Sequence, residues 1–533
     1  MSTETESDRG GQAEPSRRRW FVLAVLCLTV LLISIDNTIL NIALPSIVRS
    51  LQASSSDLQW VITSYAVVFA GLLLTTGSIS DRVGRKWVYL VGLGVFAGSS
   101  ALAAWSSTTD HLVVARACMG AGAAAIMPST LSILINVFGE EKERSIAIGV
   151  WSGIVGLGVA VGPVLGGSLL DHFWWGSVFL INVPIAIAAL IIAALIVPNS
   201  YDPAARRPDP VGSILSIAGL GLLVWGIIEL PNRTWTRFPT NVVLLTSLLT
   251  LGAFMVWERR NPNPMLPMEL FKKRELAIPM VSLALMMFAL LGMFFLMTQY
   301  LQFLLGFSPL KTGLSILPVA ITLLLVSPLS IVICRRVGLK TVVIFGMLMI
   351  AFGLLFLSRL SVNSGYTDGL VGYLSIGVGA AMAMAPSTSS VMESLPLSQA
   401  GVGSASNDTA LQVGGALGVG VIGTALNLRY QDELRSVLAS YSVPSKIEHL
   451  ILGSFGTSLA VAHHLPKAAA ASLVSASRRA FMSGMSVGMS IAAVAAICGT
   501  IVVAVFLPRP HPTVEDAESS LLTETAMGNV SSD

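Results

Sequence analysis

Long apolar runs dominate this sequence and limit what it can fold into. A helix needs about 20 apolar residues to cross the hydrocarbon core of a bilayer. Runs of this kind lie near residues 20–45, 58–77, 87–105, 111–136, 145–170, 177–197, 211–230, 241–257, 277–303, 312–334, 339–358, 369–393, 401–428 and 480–507. Charged residues make up only 11% of the chain, whereas soluble proteins carry about 25%. The sequence therefore predicts an all-α integral membrane protein with fourteen transmembrane helices.

The basic residues concentrate in alternate connections between these runs. Short connections on the cytoplasmic side of a membrane protein carry an excess of Lys and Arg. Bases cluster before the first run at Arg17–Arg19, at 82–86, at 142–144 and at 335–340, whereas most of the intervening connections carry few. The pattern predicts that both termini are cytoplasmic. The polar tails, 1–19 and 508–533, are expected to be disordered.

Two short repeats divide the membrane part. The segment 336–340 echoes 82–86 at an offset of 254 residues, and 386–388 echoes 128–130 at an offset of 258. Parallel repeats of this kind build the two halves of many transporters. We therefore predict an N-terminal six-helix bundle at 20–200, a two-helix insert at 201–276 and a C-terminal six-helix bundle at 277–507. The last of these contains a long outer loop at 429–479.

A polar segment between the second and third runs is rich in charge and glycine. It places one acid, Asp81, among three bases, and its glycines are expected to form a tight turn. The bases would anchor the turn on the cytoplasmic side, and the acid could also pair with a neighbouring helix in one conformation only. The segment is therefore interpreted either as an anchor of the turn at the membrane surface or as a gate. Its candidate gating residues are Gly77, Asp81, Arg82, Gly84, Arg85 and Lys86.

This segment resembles the signature loop of the major facilitator superfamily, G-x-L-[AS]-D-R-x-G-R-[KR], with Ile79 in place of leucine. Residues 36–45, 116–122, 158–167, 179–184 and 306–310 resemble motifs of the superfamily's fourteen-helix drug/proton antiporter branch. Met119 replaces a usual glutamine, and residues 175–179 read Trp-Gly-Ser-Val-Phe where relatives usually read W-R-W-I-F, so the arginine of that motif is absent. The resemblance implies two six-helix bundles plus two inserted helices, and it favours antiport over symport or uniport.

Two ionisable residues inside the runs are candidates for proton coupling. A charge within the membrane is costly unless it is paired or hydrated, so such residues are functional candidates by default. Asp36 lies 16 residues into the first run, about 24 Å along a helix, and could instead cap a short first helix. Arg116 lies near the start of the fourth run and could instead extend to the membrane surface. The resemblance implies a buried polar relay that includes Arg116.

Five glycine and proline positions in the fifth run predict a close-packed helix at the interface of the two halves, because glycines let helices approach closely. Simple tight packing and a bending role are both open. The positions are Gly158, Gly162, Pro163, Gly166 and Gly167.

The substrate site should be largely apolar and aromatic with few polar groups. Asp408 lies in an unusually polar stretch of the thirteenth run. The resemblance implies that it recognises cations, and the alternative is a helix cap or a surface position. The other candidate lining residues are Tyr65, Phe295, Gln299, Tyr300 and Gln302.

No nucleotide-binding motif of the form G-x-x-x-x-G-K-[ST] occurs, so an ion gradient is the expected energy source. No cofactor is expected, and the four cysteines show no metal-ligand spacing. The net charge of +3 does not favour nucleic acid as a partner. We predict a monomeric, multi-pass protein of a bacterial cytoplasmic membrane that exports lipophilic, often cationic drugs or antibiotics in exchange for protons. A dedicated exporter of a self-made antibiotic is the main alternative, whereas a lipid-modifying membrane enzyme and a passive channel fit less well.

Overall fold

The structure is a computed structural model that describes residues 16–202, 208–230, 240–262, 264–266, 268, 270–394, 400–439 and 443–508. Most of the two tails lies outside these residues, but Arg17–Arg19, which we expected in a disordered tail, belong to the first helix. Arg19 pairs with Glu143 at 3.0 Å, which holds the start of this helix in place.

The described residues form helices and no β strand. Short segments complete the sixth and ninth membrane helices: the four-residue helix Ser177–Leu180 precedes Asn182–Ile196, and a π-helical turn over Tyr300–Leu304 follows Arg274–Gln299. The α-helices are α1 (Ser16–Leu51), α2 (Ser55–Val83), α3 (Arg85–Ala104), α4 (Thr109–Val137), α5 (Glu141–His172), α6 (Ser177–Leu180), α7 (Asn182–Ile196), α8 (Pro210–Ile228), α9 (Thr240–Arg260), α10 (Arg274–Gln299), α11 (Pro309–Val337), α12 (Leu339–Leu357), α13 (Tyr366–Glu393), α14 (Ala400–Leu438), α15 (Ser445–Gly453), α16 (Phe455–Ala462) and α17 (Lys467–Phe506).

Fourteen of the described helical segments are long and apolar enough to cross a membrane. This confirms the fold class predicted from the apolar runs. Each predicted run lies within one of these segments or matches it to within a few residues. The chain is therefore a multi-pass membrane protein.

The helices α1–α7 pack together as an N-terminal half, and α10–α14 with α17 pack as a C-terminal half. The two halves meet mainly along the pairs α2–α14 and α5–α11. The helix α8 lies against both α2 and α14, and it hydrogen-bonds to α2 through Ser213 and Thr75. We call the end of the molecule that carries the 77–86 segment the basic face, and the opposite end the cap face.

The cap face contradicts the expectation of a long loop at 429–479. The helix α14 continues to Leu438, and α17 already begins at Lys467. The short helices α15 and α16 lie between them and pack on the turn between α1 and α2, where Ser454 Oγ donates to the carbonyl of Ala53 at 3.4 Å. Buried apolar contacts hold this region in helical form, including the stacked rings of Phe455 and Phe481.

The turn at 77–86 is also shorter than the sequence suggested. The helix α2 runs through Gly77 to Val83, and only Gly84 separates it from α3. Gly84 has a φ of 131°, a conformation that favours glycine. Gly77 instead lies inside the helix with its Cα facing Pro128 of α4. The prediction that Gly77 is a turn residue was wrong, because packing against α4 keeps the polar end of α2 helical.

Candidate proton-coupling and gating site

Asp36 and Arg116 form a buried ion pair inside the N-terminal half. Arg116 Nη1 lies 2.6 Å from Asp36 Oδ2, and the two side chains are 2% and 0% exposed. The helix α1 continues past Asp36 to Leu51, so the carboxylate does not cap a short helix. Removing one partner of a buried ion pair leaves an uncompensated charge, which costs about 3–5 kcal/mol. The pair is therefore a strongly coupled unit.

Two further contacts hold the guanidinium of Arg116. Its Nε donates to the carbonyl of Val61 on α2 at 3.2 Å. The ring of Tyr65 lies under it, with the guanidinium carbon 4.4 Å from the ring centroid. A cation over an aromatic face is attracted by the ring. Arg116 thus keeps favourable contacts that do not depend on the charge of Asp36.

Asn182 contacts the other oxygen of the carboxylate. Its Nδ2 donates to Asp36 Oδ1 at 3.0 Å and to Ser100 Oγ on α3 at 3.2 Å. Asn182 is the first residue of α7, directly after the break at Ile181 that separates α6 from α7. Pro184 lacks an N–H, so one backbone hydrogen bond of the helix is missing close to this point. Asn182 thus lies at the junction of α6 and α7, and its amide contacts the acid of α1.

The glycines of α5 pack on the stretch of α1 that carries Asp36. A Cβ at Gly158, Gly162 or Gly166 would collide with Ser34, Thr38 or Ile39 respectively. The hydroxyl of Thr38 lies 3.5 Å from the carbonyl of Gly158. These glycines therefore let α5 approach the backbone of α1 on both sides of the acid.

The same helix reaches the C-terminal half. A Cβ at Gly167 would lie 2.6 Å from the backbone of Leu310 on α11. Gly313 of α11 in turn faces the backbone of Pro163. The prediction of a close-packed helix at the interface of the halves is confirmed, and a bending role stays a prediction. One helix thus touches both the acid-bearing segment and the opposite half.

The halves are closed against each other at the cap face. Gln302 Nε2 donates to the carbonyl of Ile42 on α1 at 2.9 Å, and Thr424 Oγ1 lies 3.3 Å from Gln59 Oε1 on α2. Nearer the basic face, a Cβ at Gly149, Gly153 or Gly156 of α5 would meet nothing within 4 Å. The close contacts of α5 with the other half are therefore on the cap-face side.

The predicted cavity residues are packed inside the protein in this conformation. Tyr65, Phe295, Gln299, Tyr300 and Gln302 are each between 0% and 3% exposed. The structure brings Tyr65 to the ion pair and Gln302 to the junction of the halves. Gln299 bonds within its own helix, to the carbonyl of Phe295 at 3.0 Å. Their part in binding a substrate stays a prediction.

Asp408 lies apart from the ion pair, in the basic-face part of α14. It is partly exposed, and among the described residues it forms no ion pair. Its neighbour Asn407 is buried and accepts from Thr388 of α13 at 3.5 Å. Asp408 is the ninth residue of α14, so it is not an N-cap. A lone carboxylate with access to solvent can attract a cation.

The 77–86 segment is held within the N-terminal half. Arg85 Nε lies 2.8 Å from Asp81 Oδ1, and the backbone N–H of Asp202 donates to the carbonyl of Asp81 at 2.7 Å. Lys86 donates to the carbonyl of Ala194 at the end of α7 at 2.7 Å, where a cation also complements the helix dipole. The described contacts tie the segment to α2, α4, α7 and the residues that follow α7.

Several polar residues of this site escaped the sequence analysis. Asn182 was noted only as part of a resemblance, and Ser100 and Gln59 were not singled out. A usable signal existed for Asn182, since it is an amide in a segment with a mean hydropathy of 2.7. No comparable signal marks Ser100 or Gln59. Within the described ranges, no group of three or more His, Cys, Asp or Glu side chains could hold a metal ion.

Two helical halves, closed at one face and joined beside a buried ion pair, have the form of a membrane transporter. The chain matches the family profile described as Major Facilitator Superfamily over residues 26–419, and it belongs to that superfamily.

Its curated relatives match over nearly their whole length. The chain is 33% identical to the multidrug efflux pump LfrA of Mycolicibacterium smegmatis, covering 96% of this chain and 100% of the relative. It is 32% identical to the tetracenomycin C resistance and export protein of Streptomyces glaucescens, covering 96% and 97%. It is 34% identical to the methyl viologen resistance protein SmvA of Salmonella typhimurium, covering 89% and 95%.

Among solved structures, the fold resembles a bacterial homologue of the human lysosomal transporter Spinster in an inward-facing, unoccupied conformation. The TM-score is 0.65 at 14% identity, covering 94% of this chain and 100% of that one. The arrangement of the helices therefore agrees with the family match.

Proposed function

We propose that this protein is a proton-coupled antiporter that exports lipophilic, often cationic drugs or antibiotics across the cytoplasmic membrane. The proposal is supported by the relatives, which are named as multidrug efflux, drug resistance and antibiotic export proteins. The observation that carries it is the buried pair of Asp36 and Arg116 beside the helix that joins the two halves.

Asp36 has the properties of a proton carrier. A carboxylate in the membrane can exist as an anion paired with a cation or as a neutral acid. When a proton binds, the attraction to Arg116 is lost, and the guanidinium retains the carbonyl of Val61 and the ring of Tyr65. The site can therefore switch between two states without leaving the cation of Arg116 unsupported.

The helix α5 connects this switch to the interface of the halves. It packs on Ser34, two residues before Asp36, and on Thr38, two residues after it. Its cap-face end contacts α11. If protonation of Asp36 moves α1, the glycine contacts would pass this movement on to α5, because close-packed helices transmit small shifts. Proton binding is thereby linked to opening of the cap face, which we assign to the outside.

Substrate would enter from the basic face, where Asp408 offers a carboxylate to a cation. The name of the methyl viologen resistance relative agrees with a cationic substrate class for this chain. Loops at this face carry the predicted cytoplasmic bases, and the 77–86 segment would act as its gate.

The test is transport by purified protein in liposomes. A lipophilic cationic dye should move against its gradient only when a proton gradient is imposed in the opposite direction. The variant Asp36→Asn should lose this coupled movement, whereas Asp110→Asn, which alters an exposed acid in the first turn of α4, should keep it. Coupled transport by Asp36→Asn at normal expression would contradict the assignment.

A dedicated exporter of a self-made antibiotic is the second candidate, and the similarity to the tetracenomycin C export protein supports it. The two candidates differ in substrate range. A multidrug pump should transport chemically unrelated dyes and antibiotics in the same liposomes, whereas a dedicated exporter should transport one scaffold and ignore the dyes.

A further inference from the structure

Several buried polar atoms of the site described above have no partner, and Asn182 Oδ1 is the one whose amide also contacts Asp36. Asn182 Oδ1 is buried and accepts no hydrogen bond, although the residue is 0% exposed. Buried polar atoms are paired in the great majority of cases, and an unpaired one requires an explanation. Leaving such an acceptor unmatched costs about 1–3 kcal/mol. This oxygen belongs to the same amide whose nitrogen already donates to Asp36.

We propose that Asn182 is a positioning residue that changes its role with the charge of Asp36: its Nδ2 donates to the carboxylate, and its Oδ1 accepts the O–H of the protonated acid. The inference rests on the proposed function, in which Asp36 binds the transported proton. The step is a proton transfer from hydronium of the bulk solution to the carboxylate: one O–H bond of hydronium breaks, the carboxyl O–H bond forms, and a water molecule is left.

A protonated Asp36 needs an acceptor that most of its neighbours cannot provide. A neutral carboxyl group donates one O–H, and a guanidinium has only donors. The titratable groups that face Asp36 are Arg116 from α4 and Tyr65 from α2. Residues 145–170, 177–196, 276–304 and 455–462, from other helices packed beside α1, contain no charged side chain. The helix α11 also contacts α1; its Lys311 lies over the ring of Phe307, and its other two bases are in its last turn at the basic face.

The intrinsic torsion of the Asn182 side chain allows the two ends of its amide to be exchanged. The terminal torsion of an asparagine side chain is broad and roughly two-fold, so half a turn about Cβ–Cγ exchanges Nδ2 and Oδ1. Ser100 permits both orientations, because a hydroxyl can accept from Nδ2 or donate to Oδ1. In this structure Ser100 Oγ accepts from Nδ2 and donates to the carbonyl of Phe179 at 2.9 Å.

The arrangement lies at the junction of α6 and α7. As the first residue of α7, Asn182 occupies the point where its helix passes the acid of α1. The exchange would give the neutral acid a hydrogen bond as soon as Arg116 is released. Asp36 would then have a hydrogen-bond partner in both protonation states, at a position that is buried in this conformation.

Infrared difference spectroscopy on the full-length protein in liposomes tests the inference. Spectra at low and high pH are compared for the wild type and for Asp36→Asn, which assigns the carboxyl C=O band of protonated Asp36. The variant Asn182→Leu, of similar size, removes the acceptor. Tyr65→Phe removes the hydroxyl of Tyr65, the other unpartnered oxygen near the acid. Ser99→Ala removes a buried hydroxyl of the same helix that bonds only to carbonyls of α3, so it leaves the amide and its partners intact and serves as the control.

We expect the Asp36 band to shift in Asn182→Leu and to stay in place in Tyr65→Phe and Ser99→Ala. An unchanged band in Asn182→Leu, or a shift in Tyr65→Phe alone, would overturn the role of Asn182 and leave the proposed function standing. The absence of any Asp36 band in the wild type would overturn the proposed function itself. Should Asn182→Leu fail to fold, ¹³C-labelled asparagine in the wild type provides the second measurement. A pH-dependent shift of a side-chain amide band that disappears in Asp36→Asn supports the exchange, and no such shift contradicts it.

Discussion

Gln302 of the C-terminal half donates a hydrogen bond from its Nε2 to the main-chain carbonyl of Ile42 on α1, over 2.9 Å. The glutamine lies in the π-helical turn Tyr300–Leu304, a feature often found at functional sites. Both residues are buried, so the bond lies inside the closed junction at the cap face. It is one of the side-chain contacts that must break before this face can open.

The first prediction concerns this bond. Gln302→Leu should shift the protein toward a state open at the cap face, because a neutral hydrogen bond contributes about 0.5–1.5 kcal/mol, or about a two- to tenfold change in population. Spin labels at Asp110→Cys and Ser361→Cys, on exposed positions of the two halves, would report the separation with the native cysteines replaced.

Gln299→Leu is the matched control, since this glutamine bonds only within its own helix. It should leave the distance distribution unchanged. Equal distributions for Gln302→Leu and the wild type would show that the bond does not hold the cap face closed.

The second prediction concerns the crossing of α5 and α11. Gly167→Ala would place a methyl group against the backbone of Leu310, and overpacking of this kind costs about 1–3 kcal/mol. Because only the closed cap face has this contact, the variant should favour the open state by about fivefold or more.

Gly156→Ala on the same helix tests the specificity of that effect. A Cβ at Gly156 meets nothing within 4 Å, and alanine favours a helix by about 1 kcal/mol over glycine. The same spin-label pair should show no change for Gly156→Ala. If both alanine variants behave alike, the crossing does not decide the conformation.

The third prediction concerns the 77–86 segment. Asp81→Asn and Arg85→Ala should each slow substrate turnover while leaving substrate affinity within about twofold. Their partly exposed pair contributes at most about 1 kcal/mol to stability, so the fold should persist. Dye binding measured beside turnover decides between a gate and a binding role.

Arg144→Ala removes a base at the same face outside the segment and should have little effect on turnover. Lost affinity with normal turnover of bound dye in Asp81→Asn would show that the segment is not a gate.

The fourth prediction concerns substrate charge. Unit charges 4 Å apart attract by about 4 kcal/mol at an effective dielectric constant of 20, so a carboxylate at Asp408 favours a cation. Asp408→Asn should reduce transport of quaternary ammonium dyes at least tenfold and that of neutral antibiotics by much less. Competition assays in the liposome system would measure both. An equal loss for cations and neutral compounds would assign Asp408 to structure or coupling.

Most of the fold could be predicted from the sequence, because crossing a bilayer imposes a length and a composition on each helix that are visible in one dimension. Asp36 and Arg116 stood out for the same reason, since charges are rare inside such helices. The ends of helices were harder to place. Gly77 and residues 429–479 looked like turn and loop, yet packing against neighbouring helices keeps much of both helical.

The sequence by itself determined that the chain is a polytopic membrane protein with an acid and a base inside its N-terminal half. Only the tertiary structure decided that these two residues pair, because 80 residues of sequence separate them and no local pattern records which helices meet. It also placed the amide of Asn182 beside the acid and Gln302 across the junction of the halves. Such contacts depend on how helices cross, and a single polar side chain in an apolar run carries no information about the helix that it will face.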